Sequence, residues 1–327
     1  MCAQHIVPAI SPLTIRPRIF LEAASEMMDC EDWPYREVRV EMRSRGGETG
    51  VFRLFGANHP DSLQEMAEGK LDIAILNPSA LLTMAYKGTG AFHQPIPVST
   101  IAMLPHHDQL GFAVTEASGL QSLDQIRERR YPLRVSVRGS LDACTTLLVD
   151  VVLKNHGFSL EDIVSWGGHV SYDQPMPDDP SRIGRVQNKE LDAIFDEGIM
   201  VWGNLVHDAG MHFLPIDEQH LTELEAQGFR RATISKSLYP GLPMDVPAVD
   251  FSGWPIFARR EASDLLIRQF CEALEARKQR IPWNLGVGSH DQPPMPLEQM
   301  CRDTQVTPID VPFHPAAERF WREKGYL

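Results

Sequence analysis

Two groups of residues in this sequence are of types that can hold a small ionised ligand from opposite sides. The first group is basic or neutral and comprises Arg18, Arg45, Gly46, Asn77 and Ser79. The second group is mainly acidic, includes one aromatic residue as an apolar wall, and comprises Ser140, Asp142, Asp196, Glu197 and Trp202. Arginine grips a carboxylate through two parallel hydrogen bonds, and buried carboxylates need amine or hydroxyl partners. The sequence therefore predicts a small carboxylate ligand that also carries an amino or hydroxyl group, such as an amino acid or a hydroxylated aromatic acid.

Each of these residues also has a purely structural explanation. Ser140 or Asp142 could be the N-cap of the helix that follows, and Asn77 and Ser79 could form a turn and a helix cap. Surface arginines are usually solvated, because charged side chains are mostly exposed. The structural and the ligand-binding interpretations both stay open on the sequence alone.

The sequence patterns of common catalytic sites are not found. There is no HExxH, no GxSxG and no phosphate-binding glycine loop with a lysine. The histidines do not group at metal-ligand spacing, and a polar hinge loop explains His106-His107-Asp108 better than a site does. Cys144 falls in the first turn of a predicted helix, where a thiolate would be stabilised, but without a visible base we interpret it as a small buried residue. We therefore predict no catalytic residue, no metal and no cofactor.

Two short segments that lie 120 residues apart share one pattern and predict how the candidate residues are positioned. Residues 71–75 and 191–195 both follow a polar, helix-like segment, begin with Leu-Asp and continue as an apolar run. Such runs between helices are typical of buried parallel strands. Polar residues that open a new helix then follow, at 77–79 and at 196–198. Open α/β sheets bind ligands where strands end and helices begin, so the repeat predicts two similar lobes around one cleft. One larger α/β domain with an accidental repeat is the alternative.

The order of the predicted elements gives approximate lobe boundaries. Residues 1–106 together with 248–327 form the first predicted lobe, and residues 107–247 form the second, each with a five-stranded mixed sheet. Two chain crossings, near residues 105–110 and 239–247, form the predicted hinge, because the second region is punctuated by three prolines and a glycine. Closure about such a hinge would bring the two groups of polar residues together.

Composition excludes several classes of partner. The 327 residues carry a formal net charge of −13 with no block of lysine or arginine, which argues against nucleic acid. No apolar stretch approaches the roughly 20 residues that span a bilayer. Five dispersed cysteines argue against a disulfide framework and a zinc site. Residues 1–19 lack the pattern of a secretory signal, so the sequence as written is expected to be cytoplasmic, and periplasmic if the true start lies upstream.

Four segments and the C-terminal tail resemble one family of binding proteins. They are GKLDIAILNPSALLTMAYKGTGAF, LRVSVRGSLDACTTLLVDVVLKNHGFSLEDI, ELDAIFDEGI, HFLPID and the tail HPAAERFWREKGYL. Their order and spacing resemble the TAXI family of TRAP-transporter solute-binding proteins. This resemblance implies an α/β, two-lobed type II periplasmic-binding-protein fold with mixed sheets and a ligand cleft between the lobes. It also implies a protein that closes on a carboxylate-bearing metabolite for transport or sensing, with membrane TRAP subunits as partners.

Two departures from the family pattern leave a second function open. Residues 14–18 replace the usual glycine-rich loop, and residues 141–144 replace the usual Gly-Ser-Gly-Thr, so that Asp142 stands where a serine would face a ligand carboxylate. A carboxylate at that position repels an anion. The alternative is an enzyme on the same fold, similar to dihydroxyphthalate decarboxylases, which the glycine- and proline-rich stretch of residues 166–180 also resembles.

Overall fold

The fold contains two mixed β-sheets with helices packed around them. A computed structural model describes residues 14–29, 37–43, 50–140, 143–284, 287–288 and 291–327. The predicted mixed α/β class with two sheets is confirmed. Within the described residues, no helix is long and apolar enough to cross a membrane.

The first sheet has five strands in the order β1-β2-β3-β12-β4. These strands are β1 (Val38–Arg43), β2 (Val51–Gly56), β3 (Ile73–Ile75), β4 (Val98–Leu104) and β12 (Trp254–Arg259). β2 and β3 run parallel, whereas β12 is antiparallel to both of its neighbours. Because β12 comes from the C-terminal part of the chain, the sheet is built from two separate sequence segments.

The second sheet has seven strands rather than the five predicted. Six lie in the order β10-β11-β5-β8-β6-β7, and β9 pairs with β5. The strands are β5 (Gln109–Thr115), β6 (Arg134–Arg138), β7 (His169–Asp173), β8 (Ala193–Asp196), β9 (Met211–Phe213), β10 (Arg231–Ile234) and β11 (Val246–Asp250). β7 lies within the glycine- and proline-rich stretch of residues 166–180, and it is a half-exposed edge strand that pairs with β6 and follows two glycines.

Thirteen α-helices connect and cover these sheets in the described residues. They are α1 (Ile15–Asp29), α2 (Asp61–Ala67), α3 (Ser79–Lys87), α4 (Leu123–Glu128), α5 (Cys144–Asn155), α6 (Leu160–Ser165), α7 (Pro180–Gln187), α8 (Ile199–Trp202), α9 (Leu205–Asp208), α10 (Glu218–Gln227), α11 (Asp264–Arg277), α12 (Leu297–Met300) and α13 (Pro315–Lys324). Short polar side chains start several of them: Ser122, Asp179 and Asp217 each accept a backbone N–H of the first turn.

The repeated Leu-Asp pattern has the same structural role in both sheets. The Asp72 carboxylate accepts the Arg53 N–H at 2.9 Å, and the Asp192 carboxylate accepts the Arg134 N–H at 3.1 Å. In return, the backbone N–H of each aspartate donates to the carbonyl of the same arginine. Each Leu-Asp therefore attaches a short buried strand to its parallel neighbour, β3 to β2 and β8 to β6.

The chain passes between the two sheets at two adjacent crossings. The first crossing, residues 105–108, lies between β4 and β5, within the predicted region. The second lies at residues 251–253, between β11 and β12, and not at the predicted residues 239–247. The two crossings are hydrogen-bonded: the Phe251 N–H donates to the Asp108 carbonyl at 3.0 Å, and the Gly253 N–H to the His106 carbonyl at 2.9 Å.

The segment predicted as the second crossing is a loop inside the second lobe. The Asp245 carboxylate accepts the Lys236 N–H at 2.7 Å, and the Lys236 ammonium donates to the Pro243 carbonyl. Tyr239 and Leu242 are buried in an apolar cluster that belongs to the second sheet. The prolines therefore shape a loop between β10 and β11. The exact lobe boundaries at residues 106 and 248 stay a prediction.

Candidate ligand cleft at the hinge

The two crossings hold the helix starts that follow the repeated strands. On the first-sheet side, the carbonyl of Ser252 accepts both the N–H and the hydroxyl of Ser79, at 3.3 and 3.0 Å. On the second-sheet side, the Asp108 carboxylate accepts the N–H groups of Gly198 and Ile199, at 2.6 and 3.0 Å. A helix start has unsatisfied N–H groups, so each crossing anchors one helix. The polar ends of β3 and β8 are thereby fixed on either side of the hinge.

A cavity of about 320 Å³ lies at the first-sheet side of the hinge. Its apolar lining includes Val38, Ile75 and Leu76, and its polar lining consists of the side chains of Asn58, Asn77 and Trp254. The Asn58 side-chain oxygen accepts the Asn77 N–H at 3.1 Å. This volume suits a small metabolite, since ligand sites combine an apolar lining with a few placed polar groups.

Two polar atoms at this cavity have no protein partner among the described residues. They are Oδ1 of Asn77, an acceptor, and Nε1 of Trp254, a donor, and both are buried. Buried polar atoms are nearly always hydrogen-bonded, because leaving one unpaired costs about 1–3 kcal/mol. Asn77 and Trp254 therefore each bring one polar atom without a protein partner to the region of the cavity.

A buried ion-pair cluster lies at the second-sheet side of the hinge. Asp196 is fully buried, with Oδ2 at 2.5 Å from Nη1 of Arg182 and Oδ1 at 3.2 Å from Nε of Arg138. Arg138 also pairs with Glu197. Arg182 is buried as well, and its Nε donates to the Ser136 hydroxyl at 2.9 Å. Two guanidinium groups thus face two carboxylates, so this wall is not the acidic surface that the sequence suggested.

Burial dominates the proton affinity of Asp196. Burial raises the pKa of Asp196 against the opposing effect of the Arg138 and Arg182 guanidinium groups, and with a smaller increase from the Asp108 carboxylate the net pKa is about 6. The Asp196 carboxyl is therefore largely ionised at neutral pH and neutral in mild acid.

A chain of contacts joins the cavity to the ion-pair cluster. The rings of Trp254 and His106 lie 4.9 Å apart, and Nε2 of His106 lies 3.6 Å from the Asp108 carboxylate. Side-chain atoms of His106, Asp108 and Glu197 all lie within 4.8 Å of one another. Glu197 in turn pairs with Arg138, whose side chain is 15% exposed. These contacts connect Trp254, which lines the cavity, to Arg138 across the hinge through largely buried side chains.

Most of the chain matches the model of one protein family. A model described as "NMT1-like family" matches residues 59–325. The chain belongs to the NMT1-like family. The match begins after β2, so α1, β1 and β2 of this NMT1-like protein precede it. Five of the residues that line the cavity come from this preceding part, namely Met28, Val38, Gly56, Ala57 and Asn58.

The solved structures that match this NMT1-like protein are distant from it. One of them is the alkanesulfonate-binding protein SsuA from Xanthomonas axonopodis pv. citri bound to MOPS, which is 14% identical to this chain. The alignment covers 68% of this chain and 60% of that one, with a TM-score of 0.32. PhnD1 from Prochlorococcus marinus (MIT 9301) in complex with methylphosphonate is 12% identical, with coverage of 83% and 84% and a TM-score of 0.37. The glycine betaine, L-proline ABC transporter protein ProX from Borrelia burgdorferi is 13% identical, with 62% of each chain covered and a TM-score of 0.33. No curated protein matches the chain.

The structure brings only part of the predicted first group to the cleft. Asn77 lines the cavity. Ser79 is buried, and its hydroxyl donates to the carbonyl of Ser252, so the Ser79 side chain stabilises the hinge. Arg18 lies exposed on α1, ten residues before Met28, which is about 15 Å along the helix axis. Arg45 and Gly46 lie outside the described residues.

The predicted second group also divides. Asp196 and Glu197 lie in the ion-pair cluster, neutralised by arginines. Trp202 is fully buried in the second-lobe core and donates its Nε1–H to the Glu197 carbonyl, so it does not form a cleft wall. Ser140 is exposed in the turn after β6, and Asp142 lies outside the described residues. The N-cap of α5 is Ala143, so Ser140 does not cap this helix.

Sequence reasoning missed Arg138, Arg182 and Trp254. Arg138 directly follows the buried strand residues of β6, and that position alone was a usable signal. Arg182 lies on a strongly amphipathic helix, and no pattern indicates that its guanidinium is buried. Trp254 reaches the cleft because β12 returns to the first sheet there. Cys144 is buried, and burial raises the pKa of its thiol well above the usual range, as suits a packing residue.

The pH dependence of stability offers a test of burial at the hinge. Asp250 lies at the end of β11 and accepts the Ser252 hydroxyl at 2.6 Å. Burial raises the pKa of Asp250 to about 6, so the folded chain holds this proton more tightly than the unfolded chain. Protonation of Asp250 therefore increases the free energy of unfolding as pH falls through 6. This contribution is fully present below the pKa of the group in the unfolded chain, which is near 3.8. Relative to Asp250→Asn, we expect wild type to gain about 2–3 kcal/mol in free energy of unfolding between about pH 7 and pH 4.

The comparison with Asp250→Asn is needed because another group acts in the opposite direction. Burial and the nearby His220 lower the pKa of His156 to about 4, so the unfolded chain takes up this proton first as pH falls. That loss of stability is common to both proteins and cancels in the difference. Urea unfolding across the pH range measures it. A difference that does not change with pH would contradict the assignment to Asp250.

Proposed function

We propose that this NMT1-like protein is a solute-binding protein that closes on a small carboxylate-bearing metabolite for transport or sensing. The observation that carries the proposal is the cleft itself. Asn77 and Trp254 line an apolar cavity beside the hinge, and each has a buried polar atom without a partner among the described residues. The Arg138 guanidinium lies at the second-sheet side of the hinge, and in this proposal closure brings these groups together around one ligand.

The proposed ligand has an apolar body and two polar ends. Its body lies in the 320 Å³ cavity against Trp254, with one donor for Asn77 and one acceptor for the indole N–H. Its carboxylate extends across the hinge to Arg138, where closure exchanges the Glu197 contact for the ligand. Hydroxylated aromatic acids and amino acids with an apolar side chain satisfy these requirements.

A thermal-shift screen of amino acids and hydroxylated aromatic acids, followed by calorimetry on the best ligand, tests the proposal. Asn77→Ala removes the acceptor for the ligand, and we expect the affinity to fall about 5- to 150-fold, because a ligand donor is left unpaired. Asn188→Ala, at the exposed end of α7, is the matched control and is expected to bind as wild type does. A screen without any stabilising metabolite, or equal affinities of Asn77→Ala and wild type, would refute this use of the cleft.

A specific observation supports the second candidate, a decarboxylase on the same fold. His106, Asp108 and Glu197 provide an imidazole and two carboxylates within 4.8 Å beside the proposed carboxylate site, and such groups can transfer protons. Incubation of the best ligand with the protein and analysis for carbon dioxide and the decarboxylated product distinguishes the two. If wild type converts the ligand and His106→Gln does not, the decarboxylase proposal replaces the binding proposal.

The membrane partner follows from the transport proposal. The sequence resemblance predicts TRAP-type membrane subunits, whereas several solved structures with related folds are described as parts of ABC transporters. Genes for membrane subunits beside the source gene distinguish these transport classes, and an adjoining regulatory gene favours sensing. Fractionation of the source cell tests the compartment, which we propose to be cytoplasmic.

A further inference from the structure

Three side chains of metal-ligand type meet at the far end of α5 from the cleft. They are Asp124 on α4, His156 directly after α5, and His220 on α10. α5 has 12 residues, so its length of about 18 Å separates this cluster from the turn after β6. The cluster is therefore distinct from the proposed ligand cleft and independent of the proposed function.

The distances in this cluster are close to those of a zinc site. Oδ1 of Asp124 lies 3.4 Å from Nδ1 of His156 and 4.0 Å from Nε2 of His220. The two imidazole rings are stacked with centroids 3.7 Å apart. Donor atoms of a tetrahedral zinc ion lie about 3.3 Å apart, given bonds of about 2.0–2.1 Å. The 4.0 Å distance exceeds this value by less than an ångström, and the donor atoms of all three residues lie within 4.8 Å of one another.

The orientation of His220 gives a second, independent indication. Its Nδ1 lies 3.0 Å from both oxygens of Asp217 and so carries the proton that it donates to this carboxylate. In the neutral ring Nε2 is then an acceptor, and it faces another acceptor, Oδ1 of Asp124. A cation between these two atoms removes their repulsion. Histidines that bind a metal commonly donate their other N–H to a carboxylate in this way.

His156 is the most deeply buried member of the cluster. Its side chain is 2% exposed, and its Nε2 has no hydrogen-bond partner among the described residues. The only polar side chain that it contacts there in hydrogen-bond geometry is Asp124. Arg127 also faces the cluster: Nη2 lies 3.4 Å from Asp124 Oδ1, and Nη1 donates to the His156 carbonyl at 2.8 Å. A bound cation would displace Nη2 from the Asp124 carboxylate.

We infer that Asp124, His156 and His220 form a site for a divalent cation of the zinc class, with Asp217 as the residue that orients His220. The sequence predicted no metal site, because these ligands are 32 and 64 residues apart along the chain and match no ligand-spacing motif. α4, α5 and α10 bring them together on one side of the second sheet. Two histidines and one carboxylate are a ligand set typical of zinc.

Zinc chloride titrated into the chelator-dialysed protein, measured by calorimetry, tests the site. We expect one zinc ion per chain in wild type. Affinity should fall at least about 10- to 100-fold in Asp124→Asn and His220→Gln, and to a similar degree in Asp217→Asn. His207→Gln, an exposed histidine of the same lobe, is the matched control and should bind as wild type does. Cobalt(II) in place of zinc should give the visible absorption of a tetrahedral site in wild type and His207→Gln, and this absorption should be weakened or lost in Asp124→Asn and His220→Gln.

One variant separates loss of the site from loss of folding. Arg127→Gln removes the cation that competes for Asp124, so we expect it to bind zinc more tightly than wild type, and misfolding does not produce such a gain. Far-ultraviolet circular dichroism monitors folding of every variant. Absence of stoichiometric zinc binding in wild type, unchanged affinity in both Asp124→Asn and His220→Gln, or weaker binding in a folded Arg127→Gln would overturn the inference.

Discussion

Replacement of Arg182 by methionine is expected to reduce the free energy of unfolding by about 3–5 kcal/mol at neutral pH. The Arg182 side chain is 1% exposed, and its guanidinium contacts the Asp196 carboxylate, the Ser136 hydroxyl and the Pro175 carbonyl. In Arg182→Met, the fully buried Asp196 retains Arg138 as its one positively charged partner among the residues that the structure describes. The loss arises mainly because a buried charge remains without full compensation. Urea unfolding measures it.

Two further variants test this explanation. The double variant Arg182→Met with Asp196→Asn removes both charges, and we expect it to be more stable than Arg182→Met alone, since replacing a whole buried pair is often nearly neutral. Arg302→Ala breaks a pair with Glu298 in which both side chains are more than half exposed, and it should cost no more than about 1 kcal/mol. Equal stability of Arg182→Met and wild type would contradict the importance of this pair.

Replacement of Arg138 by methionine is expected to weaken binding of the carboxylate ligand about 30- to several-thousand-fold, or about 2–5 kcal/mol. Arg138 is the partly exposed guanidinium of the ion-pair cluster, next to Glu197 at the hinge. Arg138→Lys keeps the charge near Asp196 but loses the two parallel hydrogen bonds, so its affinity should lie between those of wild type and Arg138→Met. Calorimetry on the best ligand of the screen measures both variants.

The control for Arg138 is an arginine that the sequence predicted for the same role. Arg18 lies on the exposed α1. Arg18→Ala should therefore leave the affinity for the ligand within about twofold of wild type, a change of less than about 0.5 kcal/mol. An uncharged amide analogue of the ligand should bind wild type and Arg138→Met almost equally. If Arg18→Ala weakens binding while Arg138→Met does not, the carboxylate lies on the first-lobe side, as the sequence alone suggested.

Much of the architecture could be predicted because it depends on local patterns. The Leu-Asp repeat predicted two buried parallel strands, and β3 and β8 are such strands in different sheets. The hinge loop at residues 105–108 was predicted because a polar run separates two apolar segments. The short strands β7 and β10 were not predicted, because a half-exposed strand has no strong hydrophobic alternation. β11 is mostly buried, but it directly follows the proline-rich loop and itself contains Pro247, so the sequence did not indicate a strand there.

The sequence by itself determined the mixed α/β class, the repeated strand-to-helix unit and the polar exits at Asn77 and Asp196. Tertiary structure alone decided which side chains face the cleft. Asp196 is paired and Trp202 is enclosed because residues distant in sequence, Arg138 and Arg182 for one and the second-lobe core for the other, pack against them. The position of Trp254 likewise depends on where the chain returns to the first sheet. The physical reason is that burial and ion pairing depend on contacts across the fold, whereas strand and helix patterns depend on neighbours along the chain.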